Sequence, residues 1–243
     1  MIDAIITQLQ GAGFTAARSS DAEPARTDTV PGLVTLVDPV VDSALWPLNL
    51  PEQAPATNGV YQLVGWNEID VDGYRLGRVD TYVLSLRSPQ FDPLRTMTDS
   101  LIDRVAAHRS TVSWSITDAA TDYEPEPLQY RAHFELQAAA LAMTAPAVPA
   151  AFVHVVGASP SDNDLDAWAV RQTVTEQIAV VIVADQDDIE AQRRAAGAAL
   201  LGMDTGDDGV SPLVYLAGQP AAISGRHVYW RELYGYQRLI QST

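Results

Sequence analysis

Residues 173–202 read TVTEQIAVVIVADQDDIEAQRRAAGAALLG, and residues 78–108 read RVDTYVLSLRSPQFDPLRTMTDSLIDRVAAH. Each is an extended run that passes through a short aspartate-bearing link into a helix-patterned segment. In 78–88, Tyr82, Leu84 and Leu86 fall on one face and Val83, Ser85 and Arg87 on the other, the period of a strand. The helix over about 92–107 has Asp92 as its cap, Pro93 at its first position and an apolar stripe of Leu94, Met97, Leu101, Ile102 and Val105. In 173–184 the run Val180–Val183 is apolar on both faces. Such a strand needs cover on both sides: the helix of 185–202 on one, and a sister domain or another subunit on the other.

Working outward, the two stretches sit in matching surroundings. VYQLVG (60–65) precedes the first and AFVHVVG (151–157) the second, with WNEIDVDGYRLG (66–77) and SPSDNDLDAW (159–168) as the intervening loops. The first of these loops carries an Asp72-Gly73 turn signal. Downstream, VSWSIT (112–117) corresponds to PLVYLAG (212–218), and LQYRAHFELQ (128–137) to HVYWRELYGYQRL (227–239). In that last pair Tyr130-Arg131 matches Trp230-Arg231, Phe134 matches Tyr234, and Leu136-Gln137 matches Tyr236-Gln237. Tyr130, Ala132, Phe134 and Leu136 share one face. The chain is thus an internal repeat of about 95 residues, joined through the Ala/Pro segment 138–150. The expected fold class is α+β: two tandem small antiparallel or mixed sheets, each with a long helix packed on one face. The expected domains are 1–143, which carries the N-terminal helix of Ile2, Ile5, Ile6 and Leu9, and 144–243. Between that helix and the first sheet, 14–30 reads as a loop, Leu33–Val37 as a short strand, and 49–59 as an extended approach ending in a turn.

Composition narrows the chemistry. The 243 residues contain no cysteine and no lysine; 15 arginines face 22 aspartates and 9 glutamates, for a net charge of −16. Disulfides, thiolate metal sites, thiol nucleophiles, Schiff-base lysines and the Walker A lysine are therefore excluded. Up to residue 143 there are 19 acids against 9 arginines, and from 144 on 12 against 6, so both halves are acidic. An acidic surface with arginine in place of lysine suits solubility in high salt, and points to a halophilic setting. The start, MIDAIITQLQ, lacks a basic leader, and no apolar run is long enough to span a membrane, so a soluble intracellular protein is expected.

The motifs are chemically quiet. Asp204-Thr205-Gly206 is the aspartic-protease triplet, but it stands once, in a polar loop, where that chemistry needs two. Asp162, Asp164 and Asp166 have the alternating spacing that opens a calcium loop; Ala167 and Thr173 stand where it wants glycine and glutamate. They are weak metal candidates, set against a solvated hairpin loop. His108, His133, His154 and His227 form no ligand-spaced pair, and His133 and His154 alternate with apolar neighbours, which directs them to the polar faces of their strands. No catalytic residue and no cofactor is expected. The aromatic load of the last strands, Tyr229, Trp230, Tyr234 and Tyr236 with Arg231 beside them, divides between core and a subunit interface.

Segments 48–65 and 78–137 resemble the tail-completion or tail-terminator proteins of long-tailed bacterial and archaeal viruses. The likeness rests on the N-terminal MIDAIITQL, on LNLPEQAPATNGVYQLVG leading into the first strand, and on the strand–Phe-Asp–helix run RVDTYVLSLRSPQFDPLRTMTDSLIDRV. The closing DYEPEPLQYRAHFEL fits as well, and QIAVVIVADQDDIEAQRRAAGAALLG through HVYWRELYGYQRLI resembles a further variant. The resemblance implies a structural virion protein, not an enzyme, assembled in the host cytoplasm and located at the neck of the tail. It would form a ring on the head-proximal end of the tail tube, end tube polymerisation and join the tail to the head–tail connector. Its partners would be itself, the tail tube protein and the connector protein, with DNA passing through unbound and no membrane involved. Two units per chain leave open a trimer with pseudo-sixfold symmetry and a hexamer with an outer unit. Head-to-tail contacts would come from sheet edges and the aromatic last strand, partly by adding strand to strand. Acidic loops, Asp70 and Asp72 or Asp162, Asp164 and Asp166, would line the bore and repel phosphate. The alternative from another class is a ligand- or cation-binding protein of two ferredoxin-like modules, with a concave pocket between them.

Overall fold

Beginning at the amino terminus, helix α1 (Ile2–Gly11) and strand β1 (Thr15–Arg18) are followed by a 3-10 turn, Ser19–Asp21. Helix α2 (Val30–Val37), a second 3-10 turn (Asp38–Val40) and strand β2 (Leu45–Pro47) lead into the long hairpin of β3 (Asn58–Val71) and β4 (Tyr74–Ser88). Helix α3 (Phe91–Ala107), β5 (Val112–Glu124) and β6 (Gln129–Leu141) complete this part. The second part runs β7 (Ala150–Pro160), β8 (Val170–Asp185), α4 (Ile189–Leu200), β9 (Val214–Ser224) and β10 (His227–Ser242). The computed structural model describes residues 1–22, 28–108, 112–125, 128–142, 148–161, 170–204 and 209–242.

The fold is α+β, with two five-stranded sheets of orders β2-β3-β4-β6-β5 and β1-β7-β8-β10-β9. In each, a short parallel strand flanks an otherwise antiparallel sheet. The repeat extends to the register. Leu63, Tyr82, Leu136 and Ile116 lie side by side across the first sheet, as Val155, Ile178, Tyr234 and Tyr215 do across the second. In both sheets the residues just after the outer two of these, Val64 and Thr117, Val156 and Leu216, are bulges left out of the pairing. Leu136 therefore answers to Tyr234, two residues before the Tyr236 that sequence matching gives. A shift of two keeps every side chain on its face, which is why the pattern alone did not reveal it.

The layers are helix, sheet, sheet, helix. On the outer face of the first sheet, Tyr82, Leu84, Leu86, Phe134 and Leu136 pack under α2 and α3. On that of the second, Ile178, Val180 and Ile182 pack under α1 and α4. Between the sheets, Ile69, Val71, Leu76 and Val79 from the first meet Phe152, Val181, Val183 and Tyr229 from the second. The two-sided strand at 180–183 is thus covered by its own helices and by the sister sheet. The hairpin that reaches across turns on Asp72 and Gly73, both at positive φ, the backbone of a two-residue hairpin turn.

Four local expectations change, the first being the cap of α3, which is Gln90 and not Asp92. Leu33–Val37 belongs to a helix, because Leu33, Leu36 and Val37 are buried together at helical spacing and Arg104 of α3 donates to the carbonyls of Thr35 and Leu36 at its end. Ile102 lies outside the buried stripe of α3 and is exposed. Residues 15–18, read as loop, form β1.

The larger change concerns the N-terminal helix. Ile5 and Leu9 of α1 are buried against the second sheet, and β1 pairs in parallel with β7, so residues 2–18 complete the second unit and not the first. The first unit has its own helix and edge strand in α2 and β2. It is nested inside the second, between β1 and β7. A division at 143/144 therefore leaves both α1 and β1 with the wrong sheet. Leu9→Ala is expected to cost about 2–5 kcal/mol in urea unfolding. By hydrogen exchange, the loss of protection should fall in β7 and α4; a loss centred on the β3–β4 hairpin would contradict the nesting.

Candidate functional site

Ser19, His154, Ser113 and His227 are buried polar groups at the junction between the units. Asp72, at the tip of the crossing hairpin, accepts hydrogen bonds from Arg231 Nε at 2.5 Å and from His154 Nε2 at 2.9 Å. On its other side, His154 Nδ1 lies 2.8 Å from the Ser19 hydroxyl, and its ring packs on Tyr74 with centroids 4.6 Å apart. Serine, imidazole and carboxylate stand in the order of a nucleophilic relay. Ser19 is only 2% exposed, so its hydroxyl is sealed from a substrate, and the chain of contacts ties three segments together. Burial works to raise the Asp72 carboxyl, but the hydrogen bonds from Arg231 and His154 outweigh it and hold the group below its usual value. Burial disfavours a charged ring at His154, His133 and His227 and lowers all three; at His154 the facing Asp72 opposes this.

The residues expected at a subunit interface are engaged within the chain. Tyr229 lies between the sheets, with its hydroxyl 2.5 Å from where a side chain on Gly77 would begin. Tyr234 and Tyr236 are buried on the helix side of the second sheet, where Tyr234 donates to Glu232 and Tyr236 to Glu176. Trp230 packs on the same cluster with the Arg193 guanidinium 3.8 Å above its ring, and Arg193 also pairs with the buried Glu232. Arg231 is spent on Asp72. The aromatic load is core because the second sheet must fill both of its faces.

Among the acidic candidates, Asp72 is neutralised at the junction and is not a free bore charge. Asp70 is exposed and accepts the Gly73 N–H within its own turn. Asp162, Asp164 and Asp166 lie outside the described residues. Among those described, no group of three His, Asp or Glu side chains is placed to hold a metal ion. His154 does not face solvent, since the polar face of its strand is the one the sister hairpin covers. Sequence alone missed Ser19, Tyr74, Arg193 and Glu232, whose partners are far away in the chain.

A cavity of about 70 Å³ lies between the units, lined by Ser113, Asp185, Arg226 and His227. Its size suits a few water molecules. Wider grooves run between each long helix and the neighbouring edge strand. In the second unit the groove is about 250 Å³, beside Arg193, Arg194, Gly197, Leu201 and Tyr215. In the first it is about 80 Å³, beside Leu94, Arg95, Thr98 and Thr121.

The sheet edges are the most distinctive exposed feature. β2 covers β3 only at residues 59–61, and β1 covers β7 only at 150–153, so among the described residues both strands are open beyond. β5 and β9 form the opposite edges. Large apolar side chains stand in solvent on these edges: Leu63, Val64 and Trp66 on β3, Val155 and Val156 on β7, and Val214, Tyr215 and Leu216 on β9. No family model matches the chain, and no curated protein matches it in sequence.

Two measurements test the junction. The Tyr229 hydroxyl is buried with no hydrogen-bond partner among the described residues, so Tyr229→Phe should leave stability unchanged or raise it by about 1 kcal/mol. A clear loss would show that the hydroxyl has a partner. The lowered histidines bind no proton in the fold at pH values where the unfolded chain, near 6.5, does, so stability should fall as pH drops below about 6.5. Asp72 adds stability that is present above its usual 3.8 and is lost as pH falls below it. His154→Gln should flatten the first decline in a series of urea midpoints, and Asp72→Asn should cost about 1 kcal/mol at neutral pH.

Proposed function

We propose that the protein is a structural component of a viral tail, a terminator that forms a ring at the head-proximal end of the tail tube, ends its polymerisation and joins it to the head connector. The observation that carries this reading is the twice-repeated unit of helix, open-edged sheet and covering helix, in a chain whose segments resemble tail-terminator proteins. A ring needs head-to-tail contacts between unlike surfaces. The open edges of β3 and β9 lie on different sheets and bear exposed apolar side chains, which fits that need. The contacts of Ser19, His154, Asp72 and Arg231 are spent on holding the two units together, which suits a building block. The ring acts through its partners: the tube end, the connector and further copies of itself.

The two-module binding protein would place a ligand between the units. The junction there holds apolar packing, the Asp72 contacts and a cavity of about 70 Å³. That reading gains no support from it.

Adding the purified protein to polymerising tail tube protein should shorten the tubes, with a discrete oligomer at one end in electron micrographs. Unchanged tube lengths and bare ends, at concentrations where the protein itself is assembled, would overturn the proposal.

A further inference from the structure

The four sheet edges differ in charge, and the difference selects a contact. An acid placed in a strand-to-strand contact must give up its hydration whatever the salt, so copies of this chain, at −16, pair most readily where acids are missing. β5 carries Asp118, Asp122 and Glu124 on its edge, the usual protection against pairing. β9, VYLAGQPAAIS, carries no charge at all, although it is an edge over its whole length and mostly exposed. Pro220 has no N–H to offer and Ala221 is a bulge, so the receptive part of β9 is Val214–Gln219, itself interrupted by the bulge at Leu216. Beside it, exposed Leu201 and the groove under α4 extend the apolar surface.

The same chain holds a matching segment. β3 is free of its neighbour from residue 62 onward, and from Asn58 through Asn67 it has no charged residue. Leu63, Val64 and Trp66 there are 44%, 51% and 55% exposed, the largest apolar exposure on any edge outside β9. The open part of β7 is also uncharged apart from His154, but beyond Val156 it runs into Gly157, Ala158, Ser159 and Pro160, which offer little to bury. Both stretches, 214–219 and 62–67, are uncharged and carry one bulge each, Leu216 and Val64; on either side of those bulges an unpaired row of backbone N–H and C=O groups is complemented by another extended strand.

We propose that Val214–Gln219 of one copy takes residues 62–67 of a second copy as an added strand, making the contact between copies heterologous and the two edges its unlike halves. This inference rests on the ring reading and names the contact that closes the ring.

The test is mass in solution at high salt, by light scattering, with thermal melts to confirm folding. The positions chosen are exposed, so the variants should fold. Wild type should be a discrete oligomer, and Val214→Asp and Val64→Asp should each be monomeric. Val155→Asp on β7 and Ala120→Arg on β5 should keep the wild-type mass. Mixing the Val214→Asp and Val64→Asp chains should give a dimer, because one intact pair of edges remains between them. The pairing is overturned if wild type is monomeric, if Val64→Asp still assembles through β9 alone, or if Val155→Asp disassembles instead. The two proposals fail separately. An assembly that both aspartate variants dissolve, but that ignores tube ends, removes the terminator reading and keeps the pairing. Tube capping that survives both variants removes the pairing and keeps the reading.

Discussion

From Ile178 to Ala184 the central strand of the second sheet gives no side chain to water. A strand of this kind is stable only with apolar cover on both faces, and each cover must itself be anchored. α1 and α4 supply one. The other is the far end of the first unit's hairpin, which brings Ile69, Val71, Leu76 and Val79 over Val181 and Val183. Close approach there depends on Gly77, where a side chain would meet the Tyr229 hydroxyl and the Ala140 carbonyl. At the tip, Asp72 meets Arg231 and His154, so the polar contacts fix the lateral position of an interface whose cohesion is apolar. The first sheet makes this demand at Ala138–Leu141 of β6; farther along the same face Arg87, Arg131 and His133 remain partly exposed.

Much of this was legible in the sequence because periodicity and repetition are local signals. The order of the eight long strands, the two long helices, the turn at Asp72-Gly73 and the need for a second cover over 180–183 all follow from side-chain patterns. What the pattern could not convey was partnership. α1 is amphipathic whichever sheet it covers, so its stripe does not say that it belongs with residues 150–240. The aromatic strand illustrates the same limit: Tyr229, Tyr234 and Tyr236 look like surplus until both faces of the second sheet have to be filled. VPGLVTLV is ambiguous between helix and strand in isolation, and only the burial of Leu33, Leu36 and Val37 under one neighbour decides it. His154 has a polar-face position by alternation, and loses its solvent only when a hairpin 82 residues away arrives.

Charge organises the exterior as burial organises the interior. The arginines of the second unit are largely committed: Arg193 to Glu190 and Glu232, Arg226 to Asp187, Arg231 to Asp72 and Arg238 to Glu176. The surplus acids are left to hydrate the surface, which suits a protein at high ionic strength, where their mutual repulsion is screened. Uncharged edges stand out against that background, and they belong to strands on different sheets.

The nesting of one unit within the other also sets an order in time. During synthesis α1 and β1 leave the ribosome before the inner unit, yet β1 has no strand to pair with until β7 follows, with Thr15 waiting for Ala150. The inner unit, from α2 to β6, contains every strand of its own sheet and can close while the outer one is still half made. For that interval Ile5 and Leu9 are an apolar stripe without a sheet. The contacts that finally bury them are among the most distant along the chain, the kind that slows folding. The residues of α1 and β1, made before the inner unit, thus reach their place after it.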